Sequence, residues 1–174
     1  MEKKSRLGDW ELDTIIGSEQ AGAIVSMVDR TSKLTKLAKV YKKTALEVRN
    51  ALIKKLQPLQ DFVLTLTSDN GKEFIDHEKI SQTLKARFYF AKPYHSWQRG
   101  LNEHTNGLVR QYLPKGSRLS DMSEKALMKI ESLLNNRPRK ALEFLTPLDK
   151  FDQLIQAMRS STRQGQALRA LVER

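Results

Sequence analysis

The sequence contains no cysteine among its 174 residues. This absence excludes disulfide bridges, thiolate zinc sites and a cysteine nucleophile. The sequence also lacks an apolar run near the roughly twenty residues that a membrane-spanning helix needs, and no apolar segment follows the polar N-terminus as it would in a secretory signal. These absences are typical of a protein of a reducing cytoplasm, and we expect no membrane partner.

Acidic residues are scarce relative to basic ones. The chain has 20 Asp and Glu against 31 Lys and Arg, which gives a net charge of +11 and a pI near 9.9. Such a charge is typical of nucleic-acid-binding proteins, although ribosomal and membrane-surface proteins share it. Residues 85–118 contain seven basic residues and a single acidic one, Glu103. A solvated basic face is the simplest interpretation, but a lone carboxylate among so many cations suggests a function.

Hydrophobic periodicity predicts an α/β domain. A capping box, Thr44-Ala-Leu-Glu47, begins the first helix, and Pro58 ends it. Strands are predicted at 10–16, 23–29, 34–41, 62–67 and 87–91, and further helices at 77–84, 99–113 and 123–136. Three antiparallel strands followed by strand–helix–strand units, whose strands pair in parallel, give a mixed five-stranded sheet with helices on both faces. We expect residues 1–151 to form this core and residues 152–174 to form a peripheral helix or a loosely held tail.

Three carboxylates occupy positions that this architecture would bring together. Asp13 lies in the first strand, Asp69 follows the fourth, and Glu103 lies on the helix after the fifth. Each has an ordinary alternative, namely a surface Asp on an edge strand, an Asp-Asn-Gly turn and a solvent-facing Glu. Because the first and fourth strands would be parallel neighbours, Asp13 and Asp69 would share one edge of the sheet. Carboxylates without histidine or cysteine are the ligands that Mg²⁺ or Mn²⁺ prefers.

Helical spacing predicts which sides of the 99–113 helix face the core and the carboxylates. Leu101, Leu108 and Tyr112 share the expected core face. The opposite side would present Glu103 together with Arg99, Asn106 and Arg110.

Five segments of the chain resemble the bacterial insertion-sequence-thirty family of transposases. They are GDWELDTIIG (8–17), TSDNGKEF (67–74), YFAKPYHSWQRGLNEHTNGLVRQYLPKG (89–116), LNNRPRKAL (134–142) and TPLDKF (146–151). The 33 residues between Asp69 and Glu103 resemble the spacing of the wider DDE transposase and retroviral-integrase superfamily. The resemblance implies an RNase H-like fold and a DDE catalytic triad, Asp13, Asp69 and Glu103, holding two Mg²⁺ or Mn²⁺ ions. The implied activity is phosphodiester hydrolysis and strand transfer at transposon ends.

DNA is therefore the expected partner, in a cytoplasmic, nucleoid-associated protein that forms a homo-oligomer when active. The residues expected to contact DNA are Lys72, Lys92, Trp97, Arg99, His104, Asn106, Arg110, Lys115, Arg137 and Arg139. Members of the family usually carry an N-terminal helix-turn-helix, so a separate region is expected to recognise the transposon ends. Two alternatives remain open: another RNase H-like nuclease, and a non-catalytic DNA-binding remnant that regulates a full-length transposase.

Overall fold

The computed structural model describes the backbone of residues 6–18, 21–91 and 100–172. One sheet contains the strands β1 (Asp9–Ile16), β2 (Ala23–Asp29), β3 (Thr35–Val40), β4 (Thr65–Ser68) and β5 (Arg87–Phe90), in the spatial order β3-β2-β1-β4-β5. The first three strands pair antiparallel, whereas β4 pairs in parallel with both β1 and β5. The mixed five-stranded sheet predicted from the sequence is confirmed.

Five α-helices occur in the part of the chain that the structure describes: α1 (Ala45–Leu56), α2 (His77–Leu84), α3 (Gly100–Tyr112), α4 (Glu124–Asn135) and α5 (Pro147–Val172). The Thr44 side chain caps α1 as predicted, by accepting a hydrogen bond from the Glu47 amide. The Glu47 carboxylate accepts from the amides of Tyr41 and Lys42, so it fastens the chain that leads into the helix.

The fourth strand begins later than the sequence predicts. A 3-10 helix, Gln57–Phe62, holds the first residue of the predicted strand, and the Val63 amide still donates to Gln60. Pairing with β1 begins at Thr65, opposite Asp9. The prediction of a strand from residue 62 was therefore wrong, because apolar β-forming residues at 62–64 do not by themselves exclude a helical turn.

Two hydrophobic clusters cover the two faces of the sheet. One packs α1, α2 and α5 against side chains that include Trp10, Leu12 and Leu66. The other packs α3 and α4 against Ile15, Ile24 and Leu37. Alternate residues of β1 and β2 belong to different clusters, as the pleat of a strand requires. Helices thus lie on both faces, and the site described below lies on the side of α3 and α4.

The edge strand β3 is covered by side chains of α4. Asn135 accepts a hydrogen bond from the Thr35 amide and donates one to the Thr35 carbonyl, each 2.8 Å long. Glu131 accepts from the Leu37 amide at 2.8 Å. These contacts pair backbone groups that would otherwise be open to another chain, and they fix α4 relative to the sheet.

The last helix continues through residues 151 and 152, where the sequence was expected to change from core to tail. Phe151 is buried, and Leu154 and Ile155 pack against the same cluster. The division of the chain into 1–151 and 152–174 stays a prediction, although the packing of α5 extends beyond that boundary. No helix in the described ranges is both long and apolar enough to cross a bilayer.

Candidate active site at the β1–β4 edge

The side chain of Asp13 lies on the face of the sheet that α3 covers. Ile15, two residues further along β1, packs with Val109 of α3, and residues two apart on a strand share a face. Asn106 of α3 donates a hydrogen bond to Asp13 Oδ2 at 2.7 Å. The central strand and α3 therefore meet directly at this carboxylate.

Asp13 is half-buried and held from several directions. Its Oδ1 accepts from the Thr14 amide at 2.9 Å, while Asn106 holds the other oxygen. Asn106 is oriented in turn by Ser26 of β2, whose hydroxyl donates to its side-chain oxygen at 3.0 Å. The neighbouring strand and the covering helix thus fix the direction of one carboxylate, which is what a ligand or catalytic group requires.

Asp69 comes to the same edge through the parallel pairing of β1 and β4. The register pairs Asp9 with Thr65 and Glu11 with Thr67, and the Thr65 hydroxyl donates to Asp9 at 2.6 Å, so paired residues share a face. The observed pairing ends at Glu11 and Thr67, and continuing that register by two residues would put Asp69 beside Asp13. The Asp69 carboxylate also accepts from the Gly71 amide at 3.1 Å, as in an Asx turn.

Glu103 is exposed on α3, one turn before Asn106. It therefore projects from the flank of the helix next to the one that contacts Asp13. Among residues 6–18, 21–91 and 100–172, no three or more Asp, Glu or His side chains form a group that could hold a metal ion. The parallel pairing of β1 and β4 points Asp13 and Asp69 toward the same end of the sheet, but the three carboxylates do not form one group, so the triad stays a prediction.

The predicted core face of α3 was partly wrong. The buried residues are Asn102, Thr105, Leu108 and Val109, whereas Tyr112 is 37% exposed. Asn102 is fully buried, and its side-chain nitrogen donates to the Leu12 carbonyl of β1 at 3.1 Å. Two polar residues therefore lie on the inner side of the helix, which a hydrophobic pattern cannot show.

Glu73 fastens the loop after β4 to the rest of the site, and sequence reasoning did not single it out. It is 6% exposed, forms an ion pair with Lys43 at 2.7 Å and accepts from the Thr14 hydroxyl at 3.0 Å. Burial by itself raises the pKa of Glu73. Hydrogen bonds from Lys43, from its own backbone amide and from Thr14 outweigh burial and hold the pKa below its ordinary value. A side chain at position 71 would collide with this carboxylate, since a Cβ on Gly71 would lie 2.5 Å from Glu73 Oε2.

The basic and polar residues expected to contact DNA fall into separate groups. Asn106 and Arg110 lie along β1, and Arg110 donates to the Ile16 carbonyl at 2.8 Å. His104, Arg137 and Arg139 line one cavity on another side of α3. Lys72 is exposed in the loop after Asp69, and Lys115 is exposed in the turn after α3. Lys92, Trp97 and Arg99 lie outside the described residues.

Several bacterial transposases are similar in sequence to most of the chain. It is 49% identical over 155 residues to the transposase for insertion sequence element IS4351 of Bacteroides fragilis, covering 89% of this chain and 48% of that protein. It is 37% identical over 148 residues to transposase InsI for insertion sequence element IS30A of Escherichia coli strain K12, covering 84% and 38%. The resemblance to the insertion-sequence-thirty transposase family is confirmed. The chain spans about half the length, or less, of these relatives.

Among solved structures, the chain resembles the catalytic core domain of BIV integrase, with a TM-score of 0.65. The two share 24% sequence identity, and the match covers 89% of this chain and 98% of the integrase core. The RNase H-like fold expected from the sequence is therefore confirmed. No protein-family model matches the chain.

Proposed function

We propose that this chain is the catalytic domain of a transposase that cuts and joins DNA strands at transposon ends in a metal-dependent reaction. The observation that carries the proposal is the parallel pairing of β1 with β4, whose register, continued by two residues beyond Glu11 and Thr67, would put Asp69 beside Asp13. Similarity to insertion-sequence transposases supports the assignment of this edge to DNA chemistry.

Asp13, Asp69 and Glu103 are proposed as the DDE triad that holds two Mg²⁺ or Mn²⁺ ions. The donors fit hard divalent ions, since all three proposed ligands are carboxylates and none is a histidine or a thiolate. Bound ions would activate the attacking oxygen and stabilise the leaving one during displacement at phosphorus. Asn106 and the Thr14 amide orient the Asp13 carboxylate. Glu73 keeps the loop that follows Asp69 against β1 through Thr14.

The expected partner is DNA, both as transposon end and as target. A net charge of +11 favours phosphate contacts, and exposed Lys72 and Lys115 flank the elements that carry the carboxylates. Assembly into a homo-oligomer, recognition of the ends by a separate region, and a nucleoid-associated cytoplasmic location belong to the same proposal.

A nicking assay on supercoiled plasmid with Mg²⁺ or Mn²⁺ tests the proposal. Asp13→Asn, Asp69→Asn and Glu103→Gln should each abolish nicking while leaving the thermal unfolding transition in place. Matched controls are Asp61→Asn and Glu78→Gln, which remove exposed carboxylates elsewhere on the surface. A triad variant that nicks at near wild-type rate is not a ligand, and it would be removed from the assignment.

Strand transfer separates the proposal from its two alternatives. DNA that already carries a free 3′-hydroxyl at a transposon end should be joined to a second duplex. Nicking without joining would indicate another RNase H-like nuclease. Metal-independent DNA binding with neither nicking nor joining would indicate a non-catalytic remnant that regulates a full-length transposase.

A further inference from the structure

A cavity of about 390 Å³ lies between α3 and the segment 137–141 that follows α4. Leu101, His104 and Leu108 line it from the helix. Leu101 precedes Asn106 by five residues and Leu108 follows it by two, so both lie about 140–160° around the helix from the Asp13 contact. The cavity is therefore separate from the β1–β4 edge, although one helix serves both.

Four cations line the cavity, and one of them, Lys33, is attracted by the carboxylates of Glu11 and Asp29. Arg137, Arg139 and Lys140 all line it, and no Asp or Glu does. Within the described ranges none of the three forms an ion pair. Burial lowers the pKa of Arg139 and the charge of Arg137 lowers it further, while Tyr112 acts in the opposite direction, so the two guanidinium groups repel each other.

The Arg139 side chain also contains a buried hydrogen-bond donor that has no partner among the described residues. Arg139 donates through Nη2 to the Leu134 carbonyl at 3.0 Å, whereas its Nε is buried without a hydrogen-bond partner. A buried charged donor that loses water and gains no acceptor is costly. An anionic group in the cavity would offset the repulsion between Arg137 and Arg139 and the cost of the partly buried guanidinium charge.

An apolar part of the cavity wall lies beside the polar side chains of Lys33, His104 and Thr105. Leu101, Leu108, Pro138 and Ala141 contribute it. A ligand that matches the cationic and the apolar parts of the cavity carries a phosphate and a flat, weakly polar group. Its size should be that of a small molecule, because pockets of about 300–1,000 Å³ enclose such ligands. A nucleotide has this chemistry. Because a base inside a duplex is stacked and paired, only an unpaired nucleotide could enter.

We propose that this cavity binds one unpaired nucleotide of a DNA strand, with its base against the apolar wall and its phosphate at Arg137, Arg139 and Lys140. The inference rests on the proposed function only in taking DNA as the substrate. It adds a second contact point on α3, away from the carboxylates.

The turn beside the cavity presents a further aromatic surface. Phe144 is 72% exposed and has a φ of 66°, and the preceding Glu143 has a φ of 56°. Left-handed backbone is uncommon for such residues and costs of order 1 kcal/mol or more for each. The Phe144 amide donates to the Arg139 carbonyl at 2.9 Å, so the strained turn is tied to the cavity-lining segment. An exposed ring at this position could stack on a second unpaired base.

Fluorescence anisotropy of labelled duplexes in EDTA tests the proposal with the full 174-residue chain. Three duplexes of equal length are compared: one with a single bulged nucleotide, one with an abasic site in the bulge, and one fully paired. The bulged duplex should bind about tenfold more tightly than the other two. Ala141→Trp, which fills the cavity, and Arg137→Gln, which removes an exposed cation, should each abolish that preference. Lys129→Gln, which removes an exposed charge from α4, should leave it intact.

Thermal unfolding of each variant tests whether the fold is retained. EDTA removes divalent metal ions, so the result does not depend on whether the proposed metal chemistry is correct. Equal affinity for all three duplexes, or a preference that survives Ala141→Trp, would overturn the proposal. Free deoxyadenosine monophosphate serves as a competitor. If the free nucleotide competes only at concentrations far above those of the bulged duplex, the bound nucleotide belongs to a DNA strand. If the two compete equally well, the cavity is a site for free nucleotides, and the proposal that it binds DNA is overturned.

Discussion

Replacing Glu73 by glutamine removes the charge from the carboxylate that joins the loop after β4 to β1. The substitution keeps the size of the side chain and a carbonyl oxygen that can still accept from the Thr14 hydroxyl. It breaks the ion pair with Lys43, whose nitrogen lies 2.7 Å from a carboxylate that is 6% exposed. Lys43 is 35% exposed, so solvent weakens the pair and the loss is smaller than for a fully buried one.

We expect Glu73→Gln to cost about 1–3 kcal/mol in the free energy of unfolding at pH 7, since a hydrogen bond to a charged group contributes roughly 1.5–3 kcal/mol and solvent weakens this one. In a chain of this size that corresponds to a fall in Tm of roughly 2–4 °C for each kcal/mol. Asp61→Asn, which removes an exposed carboxylate away from the loop, is the matched control and should cost less than about 0.5 kcal/mol.

The pH dependence gives a second and more specific readout. Glu73 has a folded-state pKa below its ordinary value of 4.5. Its contribution to stability is therefore complete above pH 4.5 and is lost as pH falls through the lower folded-state pKa. The stability difference between wild type and Glu73→Gln should shrink in acid.

A double-mutant cycle with Lys43→Gln isolates the pair itself, and a coupling of about 1 kcal/mol is expected at pH 7. No measurable coupling, or a stability difference that stays constant down to pH 3, would refute the reasoning about this ion pair.

Three further predictions concern packing, backbone and charge. Leu52→Ala, a truncation at a fully buried position of α1, should cost about 2–5 kcal/mol in chemical unfolding; a cost below 1 kcal/mol would show that the core is loosely packed there. Gly22→Ala should destabilise, because Gly22 has a φ of 80° and its new Cβ would lie 2.8 Å from the Ser120 nitrogen, whereas Gly107→Ala on α3 meets nothing within 4 Å and should stabilise by about 0.5–1 kcal/mol. The opposite order of Tm values would contradict this backbone argument. Binding of the chain to fully paired DNA should weaken about tenfold or more between low and physiological salt, with little preference for sequence, as counterion release requires; a hundredfold preference for a transposon end over scrambled DNA would show that the domain reads sequence by itself.

Local patterns in the sequence were sufficient to predict most of the strands and helices of the fold. Alternation in β1 and the apolar run of β2 depend on the pleat of the strands, and the cap at Thr44 depends on residues within three positions of it. The direction of β4 and β5 followed from the rule that strands joined through a helix run parallel. The expectation that the first and fourth strands are neighbours is confirmed by the pairing of β1 with β4. Asp13 and Asp69 could be assigned to one edge for the same reason, since the positions of both depend on the order and direction of the strands.

Contacts between distant side chains could not be predicted in this way. Lys43 and Glu73 are 30 positions apart, and no sequence motif around either residue predicts that it pairs with the other. Their pairing depends on the angle at which the loop after β4 meets the chain before α1, which the sequence does not encode locally. The cavity beside α3 is a similar case, because His104 and Arg139 come from elements that meet only after the whole domain has folded.

The failure on α3 has a different cause. The expected core face was chosen from apolar residues, yet Asn102 and Thr105 are buried and Tyr112 is partly exposed. Sequence patterns fail where a polar group is placed against the interior for a purpose other than packing. Asn102 fixes the helix to the backbone of β1 at Leu12, and Asn106, four residues later, holds the carboxylate of Asp13. Apolar residues at both positions would pack α3 more conventionally, but they would leave Asp13 without the amide that orients it. The buried polar residues that interrupt the amphipathic pattern of α3 therefore mark the candidate site. They can be recognised in the sequence once it is known that α3 covers β1.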